Sequence, residues 1–228
     1  MRRLLGFTHL ALLLALVSAA ASRAQDEGVQ LRMGWPAWRP VQTPQRATHG
    51  WPTAQQGRYP RSFLLRLDRG VFDTFATSNS RHWVAQSARR VSELGTPQVL
   101  LPILILSALL GNRTDRTIAR DGIGAMVKAT VATRLLKIAF GRVRPRDSGQ
   151  GVFRGPSFRH DSFPSGHTAL AFAVASSYAN HRPNSSGLVY GLASLVGYSR
   201  VASRAHWPSD VWGGALVGIA VEAPHGPK

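Results

Sequence analysis

After residue 62, apolar residues recur at helical intervals, and no sustained alternation of period two marks a strand. Leu64, Leu65, Leu67, Val71, Phe72 and Phe75 follow the three-and-four spacing of an amphipathic helix. Pro97–Leu110 is almost wholly apolar and stops at Gly111-Asn112, a pair suited to ending a helix. Ala, Val, Leu and Ile recur at helical spacing over 118–140, with an end near Gly141. A loop over 145–163 follows, then a helix from Ser165 to about Ala179 and a turn at 181–187. A helix over 188–199 comes next, and a last one opens near Pro208. The pattern predicts an all-α fold, a helical bundle.

Ahead of these helices the chain begins Met1-Arg2-Arg3, runs through an apolar stretch at 10–17 and reaches small residues at 18–24. That is the layout of a signal peptide, with cleavage after Ala21 or Ala24 and an uncleaved anchor helix as the alternative. Residues 25–62, with Gly34-Trp35-Pro36-Ala37-Trp38 and Gly50-Trp51-Pro52, show no period and read as an extended arm packing its tryptophans on the body. The expected division is therefore signal peptide 1–24, arm 25–62, catalytic helical domain 63–222 and tail 223–228. A membrane-spanning helix needs about 20 apolar residues. The runs at 99–110, 169–179, 188–198 and 211–221 are shorter, and Lys128 and Arg134 interrupt another. An exported bundle, periplasmic or extracellular and water-soluble or peripheral, is the expectation. A membrane protein rich in small residues, its site on the outer face, is the alternative.

Composition narrows the chemistry. With 228 residues, 44% of them hydrophobic, the chain can bury the core of one domain. A formal charge of +17, carried mostly by arginine, favours anionic partners such as phosphate groups or an anionic membrane surface. No nucleic-acid-binding motif is visible, and no nucleic-acid partner is expected. The absence of cysteine excludes disulfides, a thiol nucleophile and a cysteine metal site. The eleven acidic residues are scattered and form no two-metal ligand set, so no metal or other cofactor is expected.

Three stretches carry candidate chemistry. Phe163-Pro164-Ser165-Gly166-His167-Thr168 is a tight turn opening into an apolar helix. Backbone N–H groups at such a start have no intrahelical acceptor, and with the helix dipole they form an anion site. Gly166 lets the backbone approach a ligand, and His167 stands at the rim, placed to give or take a proton. Upstream, Lys137 and Arg144 are seven residues apart. Seven steps of about 100° return them to one helix face, where two cations converge on one anion before Pro145 ends the helix. Downstream, Arg200 supplies a third cation whose planar fork suits phosphate oxygens. His206 precedes a proline-initiated helix with Asp210 four residues on. Asp210 can then accept a hydrogen bond from one ring nitrogen and leave the other free to attack. His160 reads as a surface residue or a contact at the mouth of the site, and His181 lies outside all three stretches. Arg204 and Trp207 flank His206, either shaping its pocket or packing beside it.

In this order, Lys137 with Arg144-Pro145, then Pro164-Ser165-Gly166-His167, then Ser199-Arg200 with His206 and Asp210 resemble a known three-part signature. It is that of the type 2 phosphatidic acid phosphatase and vanadium haloperoxidase superfamily, matched at every signature position. The resemblance implies a bundle with the three motifs gathered at one end. It implies that Lys137, Arg144 and Arg200, with the backbone N–H groups of Ser165 and Gly166, hold the phosphoryl oxygens. It further implies that His206 is the nucleophile, forming a phosphohistidine, and that Asp210 orients its imidazole. His167 would protonate the leaving alkoxide and then act as base for the attacking water. The implied activity is metal-independent hydrolysis of phosphomonoesters or diphosphates, on a lipid or a small organic phosphate. A vanadate-dependent haloperoxidase and a non-catalytic relative are the alternatives.

Overall fold

In a computed structural model of the chain, residues 63–78, 82–148 and 151–222 are described. The expected signal peptide, arm and tail lie outside them. The elements run α1 (Phe63–Ser78), α2 (His82–Glu93), α3 (Pro97–Leu110), α4 (Arg113–Phe140) and the short α5 (Pro145–Ser148). They continue with α6 (Gly166–His181), a 3-10 turn (Pro183–Ser185), α7 (Ser186–Ala202) and α8 (Pro208–Ala220). Among the described residues, extended pairing is confined to one bridge between Arg142 and Phe153. The fold is an all-α bundle, as the periodicity predicts.

Three details of the helices differ from expectation. Helix α4 starts at Arg113 rather than near 118 because Asn112 caps it. The Asn112 side chain accepts from the Asp115 N–H at 3.1 Å, while the Asp115 carboxylate accepts from the Asn112 N–H at 3.0 Å. Gly111 ends α3 in extended backbone (φ −86°, ψ 175°), not in the left-handed turn common at glycine stops. Helix α2 falls in the stretch after residue 62 that reads as helical, but the sequence pattern does not delimit it as a separate element; Val84, Ala88 and Val91 mark its inward stripe, and Ala88 is buried.

Helix α6 is the axis of the bundle and packs against α4, α7 and α8. Its Ala169, Ala171, Ala173, Ala175, Ser177 and Ala179 are buried, so neighbouring backbones approach on several sides. The contact with α8 is backbone-close. A Cβ added to Gly214 would lie 2.5 Å from the Ser165 carbonyl oxygen, and one on Gly218 2.5 Å from that of Ala169. Leu104, Met126 and Leu170 fill one core cluster, and Val189 and Val196 join α6 alanines in a second.

The outer faces are apolar. Leu101, Ile105 and Leu109 on α3, Val127, Val131 and Leu135 on α4, and Trp212, Leu216 and Ile219 on α8 point outward at helical spacing. No single helix among the described residues is long and apolar enough to cross a membrane. One pair bent by 44°, Gln86–Glu93 with Pro97–Leu110, passes that test together.

Candidate active site

Helix α4 delivers Lys137 and then stops at Gly141, which takes the left-handed conformation (φ 49°, ψ 51°) and donates its N–H to the Lys137 carbonyl. Arg144 therefore lies beyond the helix end, and the expectation that it shares a helix face with Lys137 is corrected. The two cations still converge, on Asp161. Arg144 Nε and Nη2 donate to the two Asp161 carboxylate oxygens at 2.9 and 2.8 Å, and Lys137 Nζ donates to the Asp161 backbone carbonyl. The 151–163 segment is laced to this turn by Arg154 N–H on the Gly141 carbonyl, Ser157 N–H on that of Ile138 and Ser162 N–H on that of Arg142.

The turn before α6 corrects a second expectation. Ser165 occupies the N-cap position, yet its hydroxyl does not cap the helix and accepts instead from Thr168 Oγ1 at 2.9 Å. Its N–H donates to the Asp210 carbonyl at 2.8 Å, so this group is already engaged within the protein and does not serve as an anion donor. The N–H groups of Gly166 and His167 fall in the first turn of α6, where helix geometry offers no acceptor. A Cβ on Gly166 would meet nothing within 4 Å, so open space stands beside this helix start.

The third stretch closes the site. Arg200, in the last turn of α7, donates from Nη1 to Ser92 Oγ at 3.0 Å, and its buried Nε has no hydrogen-bond partner among the described residues. His206 is buried, with Nδ1 3.4 Å from Asp210 Oδ2. Asp210, wholly buried, accepts on Oδ2 from Ser162 Oγ and from the Trp207 N–H at 2.9 Å, and on Oδ1 from Arg142 Nη1 at 2.6 Å. Trp207 packs on Phe72 and donates its indole N–H to the Val143 carbonyl, so it belongs to the core. His181 pairs with Asp121 at 2.9 Å, away from the cluster.

Electrostatics bind these groups into one cluster. Burial, then Arg200, His206, Lys137 and Arg144, push the His167 imidazole well below its ordinary value. Burial, then Arg144, Arg200 and Lys137, do the same to His206. Both rings are thus neutral near pH 7. Burial brings Lys137 down to about 8, with Arg144 and Arg200 adding to the effect against the opposing pull of Asp161. Burial and the neighbouring Arg144 bring Arg200 to about 10. Burial works to raise the Asp161 carboxyl, but Arg144 and Lys137 outweigh it and hold it below the usual range.

The structure thus gathers Lys137, Arg144, Gly166, His167, Arg200, His206 and Asp210 in one region. It also brings in Ser92, Asp161, Ser162, Arg142 and Asp68, none of which sequence reasoning singled out. For Asp161 a signal was available, since a carboxylate two residues before the Phe163-Pro164 turn stands close in sequence to the cations. For the others the partners lie too far apart in sequence for any local pattern.

The site is thus a set of cationic side chains around two neutral imidazoles within an all-α bundle. The profile of the PAP2 superfamily matches residues 121–223 of this chain. The chain is 42% identical over 89 residues to a lipid A 1-phosphatase of Porphyromonas gingivalis, a match covering 37% of this chain and 18% of that protein. It is 28% identical over 162 residues to a putative undecaprenyl-diphosphatase of Escherichia coli, covering 68% of this chain and 79% of the other. The crystal structure of Aquifex aeolicus LpxE superposes with a TM-score of 0.56 at 28% identity, over 68% of this chain and 92% of that one.

Proposed function

We propose that the chain is a metal-independent phosphatase of lipid phosphates or diphosphates that works through a phosphohistidine. The observation that carries this reading is the cationic cluster beside two neutral imidazoles, with Arg200 Nε left without a partner among the described residues and space beside the start of α6. A phosphoryl group entering there meets Lys137, Arg144, Arg200 and the first N–H groups of α6, which are fixed before the reaction and oppose the charge that develops on its oxygens. His206 Nε2 attacks phosphorus while Nδ1–H stays on Asp210. The P–O bond to the leaving group breaks, and its oxygen takes a proton from His167. His167 is neutral in the empty site, but a dianionic phosphoryl group offsets the surrounding cations and lets the ring hold that proton. In the second half, His167 takes a proton from water, the hydroxide attacks phosphorus, and phosphate leaves with His206 restored.

Lipid rather than soluble substrate is favoured by two observations. The curated relatives are named for lipid A and undecaprenyl diphosphate. The apolar stripes on α3, α4 and α8 are more contiguous than a water-facing surface normally carries, and they suit contact with acyl chains. The reading therefore places the enzyme at a membrane, with its site on the outer face, after export.

The test is phosphate release from p-nitrophenyl phosphate, phosphatidic acid and a polyprenyl diphosphate, with chelator, with vanadate and beside His206→Ala. Chelator-resistant, vanadate-sensitive release that disappears in the variant is expected, with a lipid as the best substrate. Arg144→Ala and Arg200→Ala should each lower kcat/KM by about 100- to 1000-fold, the range seen when one preorganised donor to a developing anion is lost. Near-normal turnover in both would remove the assigned cradle. Silence across the panel, accompanied by vanadate-dependent bromide oxidation, would replace the phosphatase by a haloperoxidase.

A further inference from the structure

We propose that Asp68 of α1 and Arg142 are positioning residues for the nucleophile, setting behind His206 a negative charge that favours its phosphorylated state. The inference rests on the phosphatase reading above. Asp68 lies outside the segment matched by the superfamily profile, on a helix that carries none of the three signature stretches.

Arg142 is 1% exposed, and its guanidinium serves two buried carboxylates at once. Nη2 donates to Asp68, while Nη1 donates to Asp210 Oδ1 and to Ser209 Oγ, both at 2.6 Å. Nε donates to the Gly151 carbonyl at 3.0 Å, and the Phe153 ring centroid lies 4.7 Å from the guanidinium carbon. Asp68 in turn accepts from the Ser209 N–H and the Ser209 hydroxyl, each at 2.8 Å. The first turn of α8, which carries Asp210, is thus held from beneath by α1.

Two carboxylates and one guanidinium leave this buried group with a net charge of −1. In the empty site Lys137, which feels the charge of Asp210, answers part of it, while Arg144 and Arg200 act on His206. Arg142 and Asp210 alone would already be neutral, so Asp68 supplies the excess. On the other side of Asp210 stands His206, a neutral ring in the empty site. When Nε2 bonds to phosphorus and Nδ1 keeps its proton, the ring becomes a phosphoimidazolium and its positive charge forms directly against Asp210. The group behind the nucleophile therefore favours the intermediate, and the transition state leading to it, over the neutral ring.

The measurement is steady-state kinetics on the full chain with Asp68→Asn, which keeps an acceptor for the Ser209 N–H and removes the charge. Loss of that charge should lower kcat on the order of 10-fold and weaken vanadate inhibition in step, because vanadate also bonds to His206. Inhibition by inorganic phosphate, which needs only the cradle, should stay within about twofold of wild type. Asp68→Glu returns the charge and should recover kcat relative to Asp68→Asn. An unchanged kcat in Asp68→Asn, whatever its melting temperature, overturns the proposal. So does a parallel loss of phosphate inhibition, which would mean a general collapse of the site. Should Asp68→Asn fail to fold, Asp68→Glu decides alone: folded and active supports the charge argument, folded and as slow as Arg144→Ala overturns it. A wild-type chain that releases no phosphate tells against the phosphatase reading itself, whereas an active wild type with an equally active Asp68→Asn tells only against the positioning role.

Discussion

Lys137 sets one limb of the pH dependence and His206 the other. Burial brings the lysine down to about 8, so the cradle loses a positive charge as pH rises through that value. His206 must be neutral to attack, and burial with Arg144 and Arg200 beside it keeps it neutral well below the ordinary histidine range. The free-enzyme profile of kcat/KM should therefore rise on going from pH 7 to 6, as more His167 carries the proton it donates, fall only at lower pH where His206 is protonated, and decline more steeply above about 8. Lys137→Arg, which stays charged, should move the alkaline limb upward; a limb that does not move would assign it to another group. Asp161 bears on the same cradle from the opposite sign. Its carboxylate occupies one edge of the Arg144 fork, so a phosphoryl group must share or displace it. Its side chain is 42% exposed, which limits that pairing to about 1 kcal/mol or less. Asp161→Asn should then tighten inhibition by inorganic phosphate by up to about fivefold. Weaker inhibition would instead show that Asp161 holds Arg144 in its working position.

The contact between α6 and α8 joins two of the three signature stretches, and it depends on glycine. Gly214→Val would push side-chain atoms into the Ser165 carbonyl and Thr168, forcing the helices apart. The expected cost is about 1–3 kcal/mol of stability, read as a lowered melting temperature, with a loss of kcat as the Ser165 N–H to Asp210 link opens. Gly187→Ala in α7 is the contrast: a Cβ there meets nothing within 4 Å, and the gain in helix propensity should leave the protein as stable or slightly more so. Local punctuation made much of this architecture legible. Pro97, Gly141 and Pro208 mark real element boundaries, and the small residues after Gly166 mark the central helix. Asn112 was half legible, read as the end of α3 when it also caps α4. Tertiary pairing stayed invisible. Seven-residue spacing brought Lys137 and Arg144 together on paper along one helix, whereas the protein uses a left-handed glycine and a shared partner, Asp161. The Ser165 N–H looked free because its acceptor is on another helix. Arg142 meets Asp210 across 68 positions and Asp68 across 74, distances over which no periodicity carries information.

At the scale of the molecule, the surplus of positive charge and the two neutral histidines make stability depend on pH and on anions together. The unfolded chain takes a proton on His167 and His206 near pH 6.5, while the folded chain does so only well below that. Between those values the unfolded state binds more protons, so stability rises with pH, is lost as pH falls through the window and levels off above about 6.5, until Lys137, brought down to about 8, starts a second rise. An anion in the cradle changes both terms. Binding only the folded state, it adds RT ln(1 + [L]/Kd), about 2.7 kcal/mol at a hundredfold excess over Kd. By offsetting Lys137, Arg144 and Arg200 it also raises the folded affinity of the histidines for protons, which shrinks the loss on acidification. The melting temperature measured in chelator should therefore drop from pH 7 to pH 5, rise with vanadate at every pH, and drop less steeply when vanadate is present. In His206→Ala the vanadate shift should shrink sharply and the bare acid slope should ease, since one of the two titrating rings is gone. A vanadate shift of equal size in wild type and His206→Ala would mean that the anion binds elsewhere on a strongly basic chain, and the link between site charge and stability would fail with it.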